Sequence, residues 1–235
     1  MTVKEIMTQL ESLGSQPIKN ILLKHGAKEP LFGVKVGDMK PIQKKIKKDY
    51  QLAKDLYATG NADAMYLAGL IADDEKMTRQ DLQAWVKNAV SSNINEYTVP
   101  WVAAEGQHGY ELAMEWIDSK EPRIAVAGWS TLANLATLRP DSELDLASLK
   151  ALLARVEKNI HTAPDRVRYW MNNFIICVGS YIVPLSAEAI AAAKRIGAIT
   201  VIKDGISLKV PAAIDYIKKA KDRGSLGKKK KTVKC

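Results

Sequence analysis

Arg123-Ile124-Ala125-Val126-Ala127-Gly128-Trp129-Ser130-Thr131-Leu132-Ala133-Asn134-Leu135-Ala136 is apolar nearly all the way round a helical wheel. Ile124, Val126, Ala127, Trp129, Leu132 and Leu135 leave no polar side, so a helix here must be covered on both faces. It is an inner-layer helix. The next strong pattern is different: Val167, Trp170, Met171, Phe174, Ile175 and Val178 fall at i, i+3, i+4, i+7, i+8 and i+11, one apolar stripe with a polar face opposite. An inner layer flanked by one-sided helices, in helix pairs of roughly 35 to 45 residues, predicts an all-α fold. The expected form is a HEAT-like α-α superhelical solenoid rather than a four-helix bundle.

Outward from this pair, helix signals continue. Thr78-Arg79-Gln80-Asp81 reads as a capping box with Met77 and Leu82 as its hydrophobic staple. Thr162-Ala163-Pro164-Asp165 reads as a second box, and Ser142 with Asp145 as a third. Ser186 is expected to open an alanine-rich helix that Gly197 ends. Glycines and prolines punctuate the chain at intervals suited to many short helices. The exception is residues 199–210, where alternating Ile206, Leu208 and Val210 predict a small hairpin turning at Asp204-Gly205. Residues 1–223 are expected to form a single helical-repeat domain and residues 224–235, GSLGKKKKTVKC, a basic flexible tail.

Composition bounds the chemistry. The 235 residues are 47% apolar and carry a formal charge of +9. That charge is uneven: residues 1–60 contribute +5, residues 61–202 contribute −4 and residues 203–235 contribute +8. Clustered positive charge is the electrostatic footprint of a polyanion binder. Two cysteines, Cys177 and Cys235, form no disulfide framework, and residues 174–178 are too short an apolar run to cross a bilayer. The reading is an intracellular, cytoplasmic protein, nucleoid-associated if the source is prokaryotic. His25, His108 and His161 lack partners at ligand spacing, so no metal and no cofactor are expected. There is no G-x-S-x-G elbow and no dinucleotide fingerprint. Gly224-Ser225-Leu226-Gly227-Lys228 has its glycines three apart where a phosphate loop needs five.

Two basic stripes remain. Asp38 is read as the cap of a helix that buries Met39, Ile42 and Ile46 and lines its other face with Lys40, Lys44, Lys47 and Lys48. Four ammonium groups so arranged suit backbone phosphates, and equally a solvated surface helix. On the polar face of the later helix, Arg166, Tyr169 and Asn173 fall at i, i+3 and i+7, with Arg168 and Asn172 alongside. These groups suit phosphate and sugar contacts, although Tyr169 serves as well for packing on a neighbouring helix.

The run Leu31-Phe32-Gly33-Val34-Lys35-Val36-Gly37-Asp38-Met39-Lys40 resembles the Phe-Gly-Val segment of the AlkC/AlkD-type DNA alkylation repair family, within the HEAT-like repeat DNA glycosylases. The Trp-containing segments around Trp101, Trp116 and Trp129 are also similar, over roughly residues 1–223. The resemblance implies helical repeats that cradle duplex DNA and, in active members, hydrolysis of the N-glycosidic bond of alkylated purines. The family's active members carry a Trp-Asp-x-x-Asp-like segment, an arginine on the next inner helix and a later Trp. Here that segment reads Glu96-Tyr97-Thr98-Val99-Pro100-Trp101, with Pro100 at the expected carboxylate and a helix expected to begin near Thr98. Arg123 is the basic residue nearest the expected arginine, and Asn173 stands where the later Trp would be.

Three functions follow as expectations. The first is a monomeric DNA-binding member of the family that recognises damaged or branched DNA with weak or absent glycosylase activity. The second is an active 3-methyladenine/7-methylguanine glycosylase using Glu96 or Glu105 as carboxylate, Trp101, Trp129 or Tyr97 as aromatic wall, and Arg123. The third is a non-enzymatic repeat scaffold for an acidic protein partner.

Overall fold

The computed structural model describes every residue except 204 and 205; of residues 203 and 206–209 it describes the backbone alone. Among the described residues thirteen α-helices dominate, with one two-stranded hairpin. The all-helical reading with a small hairpin therefore agrees with the observed fold. The chain divides into two compact units, Met1–Leu112 with Lys234–Cys235, and Ala113–Val233.

The first unit contains α1 (Val3–Ser12), α2 (Gln16–Lys24), α3 (Val36–Ile46), α4 (Tyr50–Ala58), α5 (Ala62–Ile71), α6 (Arg79–Asn88), a π-helical turn (Ile94–Thr98), α7 (Val99–Glu105) and the start of α8 (Gly109–Trp116). Helix starts follow local chemistry. The Thr2 and Thr78 side chains each accept from a backbone amide in reciprocal capping boxes, with Glu5 and Asp81 returning the contact. Asn61 caps α5 through the amides of Asp63 and Ala64. α5 is buried along nearly its whole length, as the central layer of this unit requires. Tyr57 and Trp85 stack with ring centroids 4.1 Å apart, and the Tyr57 hydroxyl donates to the Trp85 carbonyl at 2.6 Å.

The Phe-Gly-Val segment is held by one carboxylate. The amides of Phe32, Gly33 and Val34 donate to Asp63 at 2.6, 3.0 and 2.9 Å. Gly33 has φ +81°, and a Cβ there would lie 2.5 Å from the Lys19 amide nitrogen, so both backbone shape and the close approach of α2 require glycine.

The second unit contains α9 (Pro122–Leu138), α10 (Leu146–Asn159), α11 (Asp165–Tyr181), α12 (Ser186–Ile196), β1 (Thr200–Lys203), β2 (Ile206–Lys209) and α13 (Ala213–Asp222). α9 is the inner helix expected: Ile124, Val126, Ala127, Trp129, Leu132 and Leu135 are all buried. α11 packs on α9 along its stripe and also meets α12 and α13; Trp129 is fully buried with Phe174 edge-on at 5.4 Å. β1 and β2 pair antiparallel, from Thr200 opposite Lys209 to Lys203 opposite Ile206. The expected turn at Asp204-Gly205 lies outside the described residues.

Three caps differ from the expectation. α11 starts at Asp165 with Pro164 as its cap, while the Thr162 hydroxyl donates back to the Asn159 carbonyl. Asp145, not Ser142, caps α10, accepting from the Ser148 amide. Ser186 is already helical, with Leu185 before it and Gly197 ending α12 at φ +71°. The Thr162 hydroxyl found a nearer partner, and the Ser186 boundary differs by a single residue, a shift that sequence spacing does not resolve. Among the described residues, no single helix is long and apolar enough to cross a membrane.

Candidate nucleic-acid interface

In the first unit, the residues read as an active-site segment begin with the π-helical turn. Pro100 follows in α7, but the helix does not begin near Thr98 as expected: the chain is helical from residue 92, and Thr98 and Val99 keep helical dihedrals, so the proline sits just past the π turn, where the regular i→i−4 ladder is already interrupted. Isolated π turns concentrate at functional sites. Here the turn buries Glu96, 2% exposed, and turns Tyr97 outward, 36% exposed. Asn95 Oδ1 and Thr98 Oγ1 are buried without a partner among the described residues. Trp101 is 4% exposed and packs edge-on to Tyr66 at 5.6 Å and tilted to Tyr97 at 5.9 Å. The outcome is a three-ring aromatic cluster whose solvent side is Tyr97. Glu105, half-buried, ends α7.

Beside this cluster is an acid that sequence reasoning missed. Asp74 is 1% exposed; Lys48 Nζ stands 3.2 Å from its Oδ2 and Lys234 Nζ 2.6 Å from its Oδ1. Burial pushes the Asp74 carboxyl above its usual range, and the two ammonium groups hold it down only in part. Burial works against the charge of Lys48, but its hydrogen bond to Asp74 and the charges of Asp74, Asp73 and Glu105 raise its pKa. Cys235 reaches the same neighbourhood: Lys40 Nζ donates to its carbonyl, and the residue lies within hydrogen-bonding reach of the Tyr66 hydroxyl. Burial above all, and then the interaction with Cys235, pushes the pKa of the Tyr66 phenol up. No local signal marked these partners, because Asp73-Asp74-Glu75 reads as a solvated acidic run and Lys234 as one more tail lysine.

The α3 lysine stripe is shorter than the spacing implied. α3 begins with Lys35 as its cap, so Asp38 sits within the first turn, and it ends at Ile46. Lys47 takes φ +65° as the C-cap and Lys48 lies beyond the helix. Lys40 and Lys44 alone share the helix; Lys44 and Lys47 are exposed, while Lys40 and Lys48 are engaged as described. Met39 and Ile42 are buried and Ile46 is half-buried.

The second unit separates the other expected residues by environment. Trp129 has no exposed surface and lies under the Arg155 guanidinium, 5.8 Å from its ring centroid. It is a core ring, not an aromatic wall open to a ligand. Arg123, in the first turn of α9, pairs with Glu121 at 2.9 Å. On α11, Arg166 and Tyr169 are exposed and Asn173 half-buried. Tyr169 also packs edge-on against Trp170 at 5.9 Å. Arg168 and Asn172 point elsewhere: Arg168 donates to the carbonyls of Ile160, His161, Ala163 and Thr200 at 3.1, 3.2, 2.9 and 2.8 Å, and Asn172, 3% exposed, donates to the Pro211 carbonyl at 3.1 Å. These two tie α11 to the α10 end and the hairpin, leaving Arg166, Tyr169 and Asn173 as the outward stripe.

Residues 224–235, read from composition as a flexible tail, make specific contacts. Gly227 N–H donates to the Ser180 carbonyl at 2.9 Å, Lys230 N–H to that of Thr137 at 2.8 Å, and Lys229 Nζ to that of Ala136 at 2.9 Å.

Residues 6–208 match the family model described as DNA alkylation repair enzyme. The chain is 31% identical over 229 residues to the uncharacterized protein Lin0241 of Listeria innocua, spanning 95% of this chain and 99% of that one. It is 30% identical over 229 residues to the uncharacterized protein Lmo0209 of Listeria monocytogenes, with the same coverage. A solved structure from a family described as related to the HEAT-like repeat DNA glycosylases, with affinity for branched DNA structures, superimposes with a TM-score of 0.92 at 39% identity over 100% of both chains.

Proposed function

Because the chain belongs to the DNA alkylation repair enzyme family, we propose that it is a monomeric DNA-binding protein that recognises damaged or branched DNA and excises alkylated bases weakly or not at all. The observation that carries this reading is the state of the carboxylates around Trp101. Glycosidic cleavage of an alkylated purine needs a negative charge at the sugar as positive charge develops there. Glu96 is buried in the π turn, and Asp74 is buried between two ammonium groups. Pro100 stands where the resemblance calls for the acid. Trp101 itself is almost wholly covered. Binding has independent support from exposed Lys44 and Lys47 in the first unit and from Arg166, Tyr169 and Asn173 in the second. Whole-length likeness to a structure from a family with affinity for branched DNA supports the branched substrate.

The test pairs two measurements on the full chain. Fluorescence anisotropy with a four-way junction and with linear duplex of equal length should give tighter binding to the junction, weakening steeply with salt for both. Incubation with N-methylated duplex at stoichiometric protein should release no 3-methyladenine or 7-methylguanine above background. Base release in this assay would establish the active glycosylase instead, and equal affinity for junction and linear duplex would remove the branched-DNA preference.

A further inference from the structure

In the second unit α11, α13 and residues 225–230 converge on a cleft of about 340 Å³. Lys219 reaches it from α13, Arg223 from the C-cap of that helix, and Lys228 and Lys230 from the segment that follows. All four are exposed, and among the described residues none pairs with a carboxylate; none of the lining residues is acidic. Two rings complete the walls: Tyr181, with the Lys230 ammonium 5.8 Å from its centroid, and Tyr216, 50% exposed.

The cleft is built rather than incidental. Ser225 donates to the Ala220 carbonyl through both its amide and its hydroxyl, at 2.9 and 3.0 Å. Gly227 donates to the Ser180 carbonyl at 2.9 Å with φ +77°, and a Cβ there would lie 2.5 Å from Val183 Cγ2, so only glycine lets the segment come so close. Lys229 turns inward to Asp141, 2.9 Å away, which leaves Lys228 and Lys230 on the cleft side. The Gly224–Lys228 run thus contributes a lysine to a wall rather than wrapping a phosphate in backbone amides, since the Gly227 amide is already spent.

We propose that this cleft binds the phosphate monoester of a nucleotide, with the base laid on Tyr216. A monoester carries about −1.5 to −2 charges at neutral pH, which suits four cations around one small concavity. A diester backbone spreads one charge per nucleotide along a line and matches a row of cations better. The volume lies at the lower end of small-ligand sites, roughly 300–1,000 Å³, the size of a single nucleotide. An exposed tyrosine beside the cations offers the stacking surface that bases use without sequence preference. The phosphate can belong to a free mononucleotide or to the 5′ end of a DNA strand, and the site does not depend on the interface proposed above.

Isothermal titration calorimetry on the full chain tests it with deoxyadenosine monophosphate, deoxyadenosine and inorganic phosphate. The monophosphate should bind at least about tenfold more tightly than the nucleoside, as charge-assisted contacts to phosphate require. The double substitution Lys219→Ala/Arg223→Ala, confined to exposed positions, should weaken it by about tenfold or more, whereas Lys44→Ala/Lys47→Ala should leave it unchanged. Tyr216→Ala should lower affinity for the monophosphate and not for inorganic phosphate. A short single strand binding more tightly with a 5′-phosphate than the free monophosphate does would assign the site to DNA ends, and no such gain would assign it to free nucleotide. Equal affinity for nucleotide and nucleoside, or binding undiminished in the Lys219/Arg223 double variant, would overturn the proposal.

Discussion

Asp81 shows how one side chain can serve local and tertiary structure together. It closes the Thr78 capping box, accepts from the Tyr50 hydroxyl at 2.8 Å and pairs with Lys54 at 2.8 Å. Burial works against its charge, but the bonds from Lys54, Tyr50 and Thr78 outweigh that and hold its pKa at about 2. A folded pKa below the unfolded value of about 3.9 stabilises the protein fully above that value and is lost as pH falls toward 2. Asp81→Asn should therefore lower stability at pH 7 by about 1–2 kcal/mol, discounted for partial exposure, and should flatten the fall in urea midpoint between pH 5 and pH 2.5. A second contrast separates neighbours on α11. Arg168→Met strips the donor from four carbonyls and should cost about 2–4 kcal/mol with junction affinity unchanged. Arg166→Ala, at an exposed position, should cost no more than about 1 kcal/mol and weaken junction binding. The reverse pattern would mean that Arg168, not Arg166, faces the nucleic acid.

Among elements, the irregular segment of residues 31–34 depends on a single acid from α5. Three amides share Asp63, so Asp63→Ala leaves three donors without an acceptor in a largely buried setting. The expected cost is about 3 kcal/mol or more, read from urea unfolding. Native-state hydrogen exchange should speed up at Phe32, Gly33 and Val34 ahead of the α5 core. The element also shows where periodicity fails as a guide. The spacing of Lys40, Lys44, Lys47 and Lys48 is helical, but α3 stops at Ile46 and Lys47 turns into the left-handed region. Helix ends depend on where the chain must go next, and here the Asp49 amide bonds to the Ile71 carbonyl at 2.9 Å.

For the whole molecule, the +9 charge is the sum of two basic ends around an acidic middle. Part of that positive charge is consumed internally: Lys48 and Lys234 on Asp74, Lys54 on Asp81, Lys229 on Asp141. Net charge therefore overstates the cations available to a phosphate backbone. Lys44→Ala/Lys47→Ala, both exposed, should reduce the slope of log affinity against log salt for junction DNA by up to about 2, with little change in unfolding free energy. An unchanged slope would show that the first unit's lysines do not meet the backbone.

The helical architecture is legible in the order of the amino acids. The all-round apolar residues of α9 and the single stripe of α11 declare which faces are covered, because burial of apolar surface at helical spacing is a local pattern with a global consequence. The Thr78 box and the paired strands near residues 200–209 were legible for the same reason: each depends on residues close in sequence. The candidate sites were legible only in part. Arg166 and Arg168 look alike in the chain, yet one is exposed and the other is bound to four carbonyls, three of them on α11's approach and one on β1. Asp74 meets Lys234 across 160 positions, and the cleft of Lys219, Arg223, Lys228 and Lys230 forms because residues 225–230 bond to carbonyls on α9, α11 and α13. Which charges are spent inside and which are left for a ligand is decided by such long-range pairing, and only the tertiary structure fixes it.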